Sequence, residues 1–231
     1  EILLGLSHDD TSGESPDTQG FIASLEELGR AHEIDRWVLE HVFDWMAANL
    51  AALDHVSGLA VNLSAQSIAR TDFSAWLRDA LAQRGALAHK LVFEITETAA
   101  IAGYGVAQEF IREMRRFGCR FALDDFGSGY TSYAHLKNLR TDILKIDGSF
   151  VRDMITSESD VAMVKSMSDI AHVLGMKTVA EWVEQPEVLA LLAEGGIDYA
   201  QGYAIERPFR LELLAGRILT TNAASQDGIG Q

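Results

Sequence analysis

The sequence predicts an α/β chain whose parallel strands alternate with helices and close into a TIM-like (β/α)8 barrel. Three observations predict it. Short apolar runs alternate with longer amphipathic stretches almost from end to end, the pattern of parallel pairing through helical crossovers. The 231 residues suit one large domain that buries its own core. Nearly every strand-like run also carries a polar residue near its C-terminal end, where a barrel places its chemistry. An open doubly wound sheet is the alternative, but it gathers ligand contacts at one switch point.

The elements follow in order. Residues 1–6 read as a strand and residues 7–19 as a polar loop rich in Asp, Ser and Gly. Helices are expected over 21–29 and 33–49. In the second, Ile34, Trp37, Val38, His41, Val42, Trp45 and Met46 share one face at helical spacing, so the tryptophans and His41 read as core. A strand over 59–63 and a helix over 72–83 come next. The strand over 91–95 leads to a helix over 98–117, stopped by Gly118. A strand at 120–124, a short helix near 131–138 and a strand at 142–146 follow. A helix over 160–174 ends at Gly175, and 177–183 is a strand. Pro186 sits in the first turn of a helix over 185–194, where its missing N–H costs little. The last strand begins at 198–200 and the last helix covers 211–219. Residues 1–219 thus form the domain, and the small polar tail 220–231 is expected to fray.

Composition narrows the partners. A net charge of −15 argues against a nucleic-acid polymer, which needs a basic surface, and against an anionic membrane. No apolar run is long enough to span a bilayer, and no signal-peptide pattern opens the chain. The single cysteine, Cys119, lies in an apolar run, reads as core, and suits a reducing compartment. A cytoplasmic location is therefore expected, even for a parent chain that is membrane-tethered. The opening Glu1-Ile2-Leu3-Leu4 starts in mid-pattern, like a segment of a longer polypeptide.

The strand ends supply the chemistry. In order they offer Glu1, Asn62, Glu94, Asp124 with Asp125, Lys145, Glu181 and Gln201. Most of them interrupt apolar stretches, and alternation turns each away from its apolar neighbours. Singly, each has a plain structural role: an Asp at a strand end caps a helix, and Lys145 has Asp147 two residues on. Repetition in strand after strand argues for a common rim. Carboxylates crowded there need cations. Oxygen-only ligands favour Mg²⁺ or Mn²⁺, and the seven histidines show no zinc pattern such as HExxH. Two such ions about 3.5–4 Å apart, bridged by a carboxylate, are a device for phosphodiester hydrolysis. Asp124 is the natural bridge, Asp125 completes the second ion, Lys145 holds the attacking water or a phosphoryl oxygen, and Glu181 accepts its proton.

With these positions in hand, the chain resembles the EAL domain family, bacterial phosphodiesterases that cleave the signalling dinucleotide cyclic di-GMP. The resemblance rests on EIL at 1–3, IDRWVLE at 34–40, VNLS at 61–64, EITET at 94–98 and LDDFGSGYTS at 123–132. LKIDGSF at 144–150, VAEWVE at 179–184 and QGY at 201–203 complete it. It implies an eight-stranded barrel modified by one antiparallel strand. It implies Glu1, Asn62, Glu94 and Asp124 on a first Mg²⁺ or Mn²⁺, and Asp124 with Asp125 on a second. Lys145, Glu181 and Glu1 would be catalytic, while Asp125, Gln201 and Lys145 would meet the substrate. Glu97 and the DDFGSGY loop resemble the element coupling dimerisation to metal binding, so a homodimer is one expected partner. The product would be linear pGpG, and sensory or GGDEF-type domains would lie upstream.

Three departures stand out. The family strand resembling YQPI, antiparallel and preceding the EAL motif, is absent, which leaves seven strand candidates. The family arginine two residues past EAL, a substrate-phosphate contact, is Gly5 here. Such a charge-assisted bond is worth roughly 1.5–3 kcal/mol, tenfold or more in binding. Trp182 stands where many members have Gly. Two functions compete on this basis: an active phosphodiesterase, supported by the complete acidic set, and a weakly active cyclic di-GMP receptor, favoured by Gly5 and the missing strand.

Overall fold

The computed structural model describes residues 1–6, 17–129 and 133–227, so most of the loop expected over 7–19 and the start of the helix expected near 131 lie outside the described residues. Along the chain, helices α1 (Thr18–Glu27), α2 (Ala31–Ala48) and α3 (Leu50–Leu53) precede strand β1 (Leu59–Asn62). Helices α4 (Ala65–Ala69) and α5 (Thr71–Arg84) and a 3-10 turn (Gly85–Lys90) lead to β2 (Leu91–Thr96). Then come α6 (Glu97–Ala102), α7 (Tyr104–Met114), β3 (Arg120–Phe126), α8 (Tyr133–Leu139) and β4 (Ile143–Ile146). The remainder is α9 (Gly148–Val151), α10 (Glu158–Val173), β5 (Lys177–Ala180), α11 (Val188–Glu194), β6 (Tyr199–Ala200) and α12 (Leu214–Asp227). The expected alternation is present, in two compact units: Glu1–Leu91 with the residues from Phe209 onward, and Val92–Pro208.

In the first unit α2 buries Leu39, Val42, Phe43 and Met46, spaced to one helical face, and α5 contributes Phe73, Leu77 and Leu81. Phe43 and Phe73 both face Trp76, with ring centroids 6.5 and 5.5 Å away. This face is rotated from the expected one. Trp37 is 48% exposed and stacks on the exposed His41 at 3.8 Å, so this pair is surface and not core. Trp45, Val42 and Met46 of the expected stripe are buried, so only its Trp37–His41 edge lies outside. The strand expected over 1–6 reduces to one bridge, Ile2 beside Val61, with the Ile2 N–H donating to the Ala60 carbonyl at 2.8 Å. With Leu3 54% exposed, extending that ladder would bury little. At the other terminus, the helix expected to stop at 219 runs to Asp227, carried by the helix formers Ala223 and Ala224.

In the second unit β2 to β6 pair parallel in chain order. Phe93, Phe110 and Phe121 form an aromatic cluster beneath them, Phe121 lying 5.5 Å from Phe93 and 6.2 Å edge-on from Phe110. Cys119 is buried at the start of β3, and burial pushes its thiol up to about 12. The single helix expected over 98–117 is broken at Gly103, because a glycine without side-chain contacts weakens a helix interior. Gly118, at φ +93, ends the last turn as expected. The strand expected over 177–183 stops at Ala180, where Trp182 takes a left-handed φ of +54. Helix α11 begins three residues later than Pro186 suggested.

The N-terminal ends of β5 and β6 are tied by Asp198. Its carboxylate accepts from the Thr178 N–H (2.9 Å) and hydroxyl (3.0 Å), from Lys177 Nζ (2.5 Å), and meets His172 Nε2 at 2.8 Å. Burial pushes the carboxyl up, but these bonds outweigh it and hold Asp198 well below the usual carboxylate range. A depressed folded-state value stabilises the fold above the unfolded value, about 3.9, and that contribution fades as pH falls through the folded value. Asp198→Asn is therefore expected to cost about 1–3 kcal/mol at pH 7. In urea unfolding, the gap from the parent protein should close below about pH 4.

Candidate active site

The C-terminal ends of β2, β3, β4 and β5 converge on one ammonium group. Lys145 emerges from β4 between Leu144 and Ile146 and is 2% exposed. Its Nζ lies 3.0 Å from Glu94 of β2, 3.0 Å from Asp124 of β3 and 2.9 Å from Glu181, which directly follows β5. All three carboxylates are buried. Asp147, the alternative partner weighed for Lys145, instead caps α9 by accepting the Ser149 N–H at 2.8 Å. The parallel register staggers them in small steps: Glu94 pairs with Ala122, two residues before Asp124, and Lys145 pairs with Val179, two residues before Glu181, so all four stay near the same ends of the strands.

Asp125 joins them by an irregular route. In a regular strand it would point away from Asp124. The β3–β4 register slips between Leu123 and Phe126, and Asp125 takes φ +54, a conformation few non-glycine residues adopt. The bulge brings both aspartates to one side: carboxylate oxygens of Asp124, Asp125 and Glu181 all lie within 4.8 Å of one another. The Asp125 N–H also donates to Asp124 Oδ1 at 3.0 Å.

Negative charge exceeds positive in this cluster. Burial pushes the Glu181 carboxyl up, Lys145 pulls it back and Asp124 pushes it up again, leaving it at about 7. A divalent cation would relieve the same excess, and the all-oxygen donor set suits a hard one. The buried acidic cluster can thus hold a metal ion. Glu181 is expected from the sequence with the two aspartates at one rim, and the three do lie together; the bulge at Asp125 that brings them there had no signal in the sequence.

Two further sets of expected residues are placed. Glu97, 1% exposed at the start of α6, accepts the Gly127 N–H at 2.9 Å. A β-carbon on Gly129 would fall 2.6 Å from the Glu97 carboxylate, so a larger residue there would require that carboxylate to shift. Gln201 follows β6, its N–H donating to the Ala180 carbonyl (2.8 Å) and its carbonyl accepting the Val183 N–H (3.0 Å). In the first unit, Asn62 ends β1 and its amide donates to Glu1 Oε1 at 2.8 Å, so these two also meet. Asp35 of α2 steadies the turn after Asn62, accepting from the Ser64 N–H (2.8 Å) and the Ser67 hydroxyl (2.7 Å). Sequence reasoning missed Asp35; its polarity on a helix flank was the available signal.

Comparison with known proteins agrees with this geometry. The chain is 39% identical over 208 residues to the cyclic di-GMP phosphodiesterase PdeF of Escherichia coli, covering 90% of this chain and 27% of that protein. It is 40% identical over 189 residues to the cyclic di-GMP phosphodiesterase PdeB of Shewanella oneidensis, covering 81% of this chain and 22% of that protein. It thus spans about a quarter of the length of these curated relatives. Among solved structures, PaMucR phosphodiesterase in complex with c-di-GMP is similar at a TM-score of 0.81 and 28% identity, covering 89% of this chain and 83% of that one. The FimX EAL domain from Pseudomonas aeruginosa bound to c-di-GMP follows at 0.76 and 28%, covering 86% and 79%. These likenesses agree with the TIM-like α/β class expected from the strand pattern. The family model for the EAL domain matches residues 1–208, and the chain belongs to that family.

Proposed function

We propose that the chain is a metal-dependent phosphodiesterase that hydrolyses cyclic di-GMP to linear pGpG. The observation that carries this reading is the convergence of Glu94, Asp124 and Glu181 on Lys145, with Asp125 turned into the same cluster. Glu94 and Asp124 are proposed ligands of a first Mg²⁺ or Mn²⁺, and Asp124 and Asp125 of a second. Bound there, such cations would acidify a water and offset charge on the phosphoryl oxygens. The Lys145 ammonium, held by three carboxylates, is the proposed donor to an attacking water or a non-bridging phosphate oxygen. Glu181, at about 7, exchanges a proton near neutrality and is the proposed acceptor for the proton of that water. Gln201 supports the substrate at the adjoining strand end.

Glu97 and the loop that it holds at Gly127 are the proposed link to a homodimer partner. We also place upstream sensory or GGDEF-type domains in the parent protein, as in the LapD chain described as S helix-GGDEF-EAL. A cytoplasmic site of action is part of the same reading; no helix among the described residues is long and apolar enough to cross a membrane.

The test is incubation with cyclic di-GMP and Mg²⁺ or Mn²⁺, with chromatography for pGpG. Absence of product from folded, metal-loaded protein would leave the receptor reading, which Gly5 favours. That reading makes its own prediction. A β-carbon on Gly5 meets nothing within 4 Å, so a side chain can start there without a clash, and Gly5→Arg supplies the missing cation. One charge-assisted phosphate bond should lower KM about tenfold, measurable in steady-state kinetics.

A further inference from the structure

The N-terminal ends of β3, β4 and β5 concentrate positive charge in a chain whose net charge is −15. Their hub is Asp142, just before β4. Its carboxylate accepts from Arg115 at 2.6 Å and from the Phe121 N–H at 2.8 Å, and its carbonyl accepts the Lys177 N–H at 2.9 Å. Around it stand Arg115 and Arg116 in the 3-10 turn that ends α7, Arg120 and Lys177 at the first positions of β3 and β5, and Arg140 in the loop before β4. Arg120 is half-buried and the others are exposed. Asp142 and Asp198, the carboxylates bonded into these strand starts, are already engaged. The Arg116 and Arg140 side chains form no ion pair among the described residues.

Stability does not account for this island. Arg140 takes φ +55, a left-handed conformation that strains an L-residue and that glycine adopts freely. The fold uses its carbonyl, which accepts from the Arg115 guanidinium, and leaves its own guanidinium in solvent. The next residue, Thr141, is 6% exposed, and its hydroxyl has no hydrogen-bond partner among the described residues. Strain and an orphaned hydroxyl side by side mark a loop kept for something other than packing.

We infer that this pole is a docking surface for an acidic segment of a protein partner. Guanidinium groups take carboxylates through paired hydrogen bonds. Strands about 4.8 Å apart spread the cations over roughly 10 Å from β3 to β5. That spread matches several carboxylates in a row, whereas a lone phosphate needs donors converging on one point. A nucleic-acid strand would run past the island onto acidic surface, where repulsion acts within about 8–10 Å. The Lys145 cluster lies toward the other ends of these strands, so docking leaves it uncovered. The inference stands apart from the phosphodiesterase reading.

The test is fluorescence anisotropy at low salt with a labelled peptide of alternating Glu and Ala that spans the island, with thermal unfolding followed alongside. The parent chain is compared with Arg140→Gly, with the pair Arg116→Glu and Arg140→Glu, and with the pair Arg152→Glu and Lys165→Glu, which makes the same charge change elsewhere. The Arg116/Arg140 reversal is expected to weaken binding about tenfold or more. Arg140→Gly should weaken it about threefold, while melting no lower because glycine meets φ +55 without strain. The Arg152/Lys165 reversal should stay within about twofold of the parent, its charges lying outside the contact. No binding by the parent, parent-like affinity in the Arg116/Arg140 reversal, or equal loss in both reversals overturns the inference. Tighter binding of a single-stranded oligonucleotide of the same length assigns the pole to nucleic acid and overturns it too. A drop in melting temperature of Arg140→Gly that parallels its loss of affinity makes the loop structural, with the same consequence.

Discussion

Lys145→Met is expected to lower turnover by orders of magnitude and to destabilise the metal-free protein more than any other single change at the cluster. The ammonium is the shared partner of Glu94, Asp124 and Glu181, and all four groups are buried. Methionine fills a similar volume without charge, leaving three carboxylates facing one another. Removing one partner from a buried ion pair costs about 3–5 kcal/mol, and here three acceptors lose the same donor. The penalty will be reduced by protonation, beginning with Glu181, which already stands at about 7. The destabilisation should therefore be larger at pH 8 than at pH 6. Loss of a positioned donor should lower kcat about 10²–10⁴-fold. A divalent cation should also raise the melting temperature of Lys145→Met more than that of the parent, because it supplies charge that the variant lacks. Parent-like kcat in the variant would remove Lys145 from the mechanism.

The second large effect is expected from a backbone contact and involves no charge. Gly202 follows Gln201 at φ +154, and a β-carbon there would sit 2.3 Å from the Val183 nitrogen and 2.4 Å from its carbonyl oxygen. Both atoms are committed: the Val183 N–H donates to the Gln201 carbonyl at 3.0 Å, and its carbonyl accepts the Ala204 N–H at 2.9 Å. Backbone so engaged cannot give way as a flexible side chain would. Gly202→Ala is expected to cost about 3 kcal/mol or more, read as a lower urea midpoint. Gly216 in α12 is the control, since its β-carbon would meet nothing within 4 Å. Gly216→Ala should be neutral or stabilising by up to about 1 kcal/mol. Equal midpoints for the two variants would show that the β5–β6 exit is more pliable than its geometry indicates.

The fold was legible in the sequence wherever burial enforced a simple period. The runs at Leu59, Leu91, Arg120, Ile143 and Lys177 each became strands, because apolar residues between helical stretches have one way to bury both faces. The polar interruptions Glu94, Asp124 and Lys145 were legible for the same reason, each being a costly side chain in an otherwise buried run. What escaped were the departures from period. Residue type places Asp125 beside Asp124, but strand alternation alone would turn it away, and the register slip and positive φ that bring it round left no trace in the sequence. Trp37 and His41 match the helical period yet lie outside, since a stripe several residues wide does not say which edge is innermost. The break at Gly103 and the early end of β5 are local choices that tertiary packing made among conformations of similar energy.

Asp198 gathers the beginnings of β5 and β6, while Lys145 gathers the ends of β2, β3, β4 and β5. The Asp198 cluster and the Lys145 cluster thus sit at opposite ends of β5, each with its own ionic knot. Such a division gives evolution, or an engineer, two nearly independent dials. Reinforcing the Asp198 pole can offset the strain of Asp125 and Trp182 without touching the groups that react.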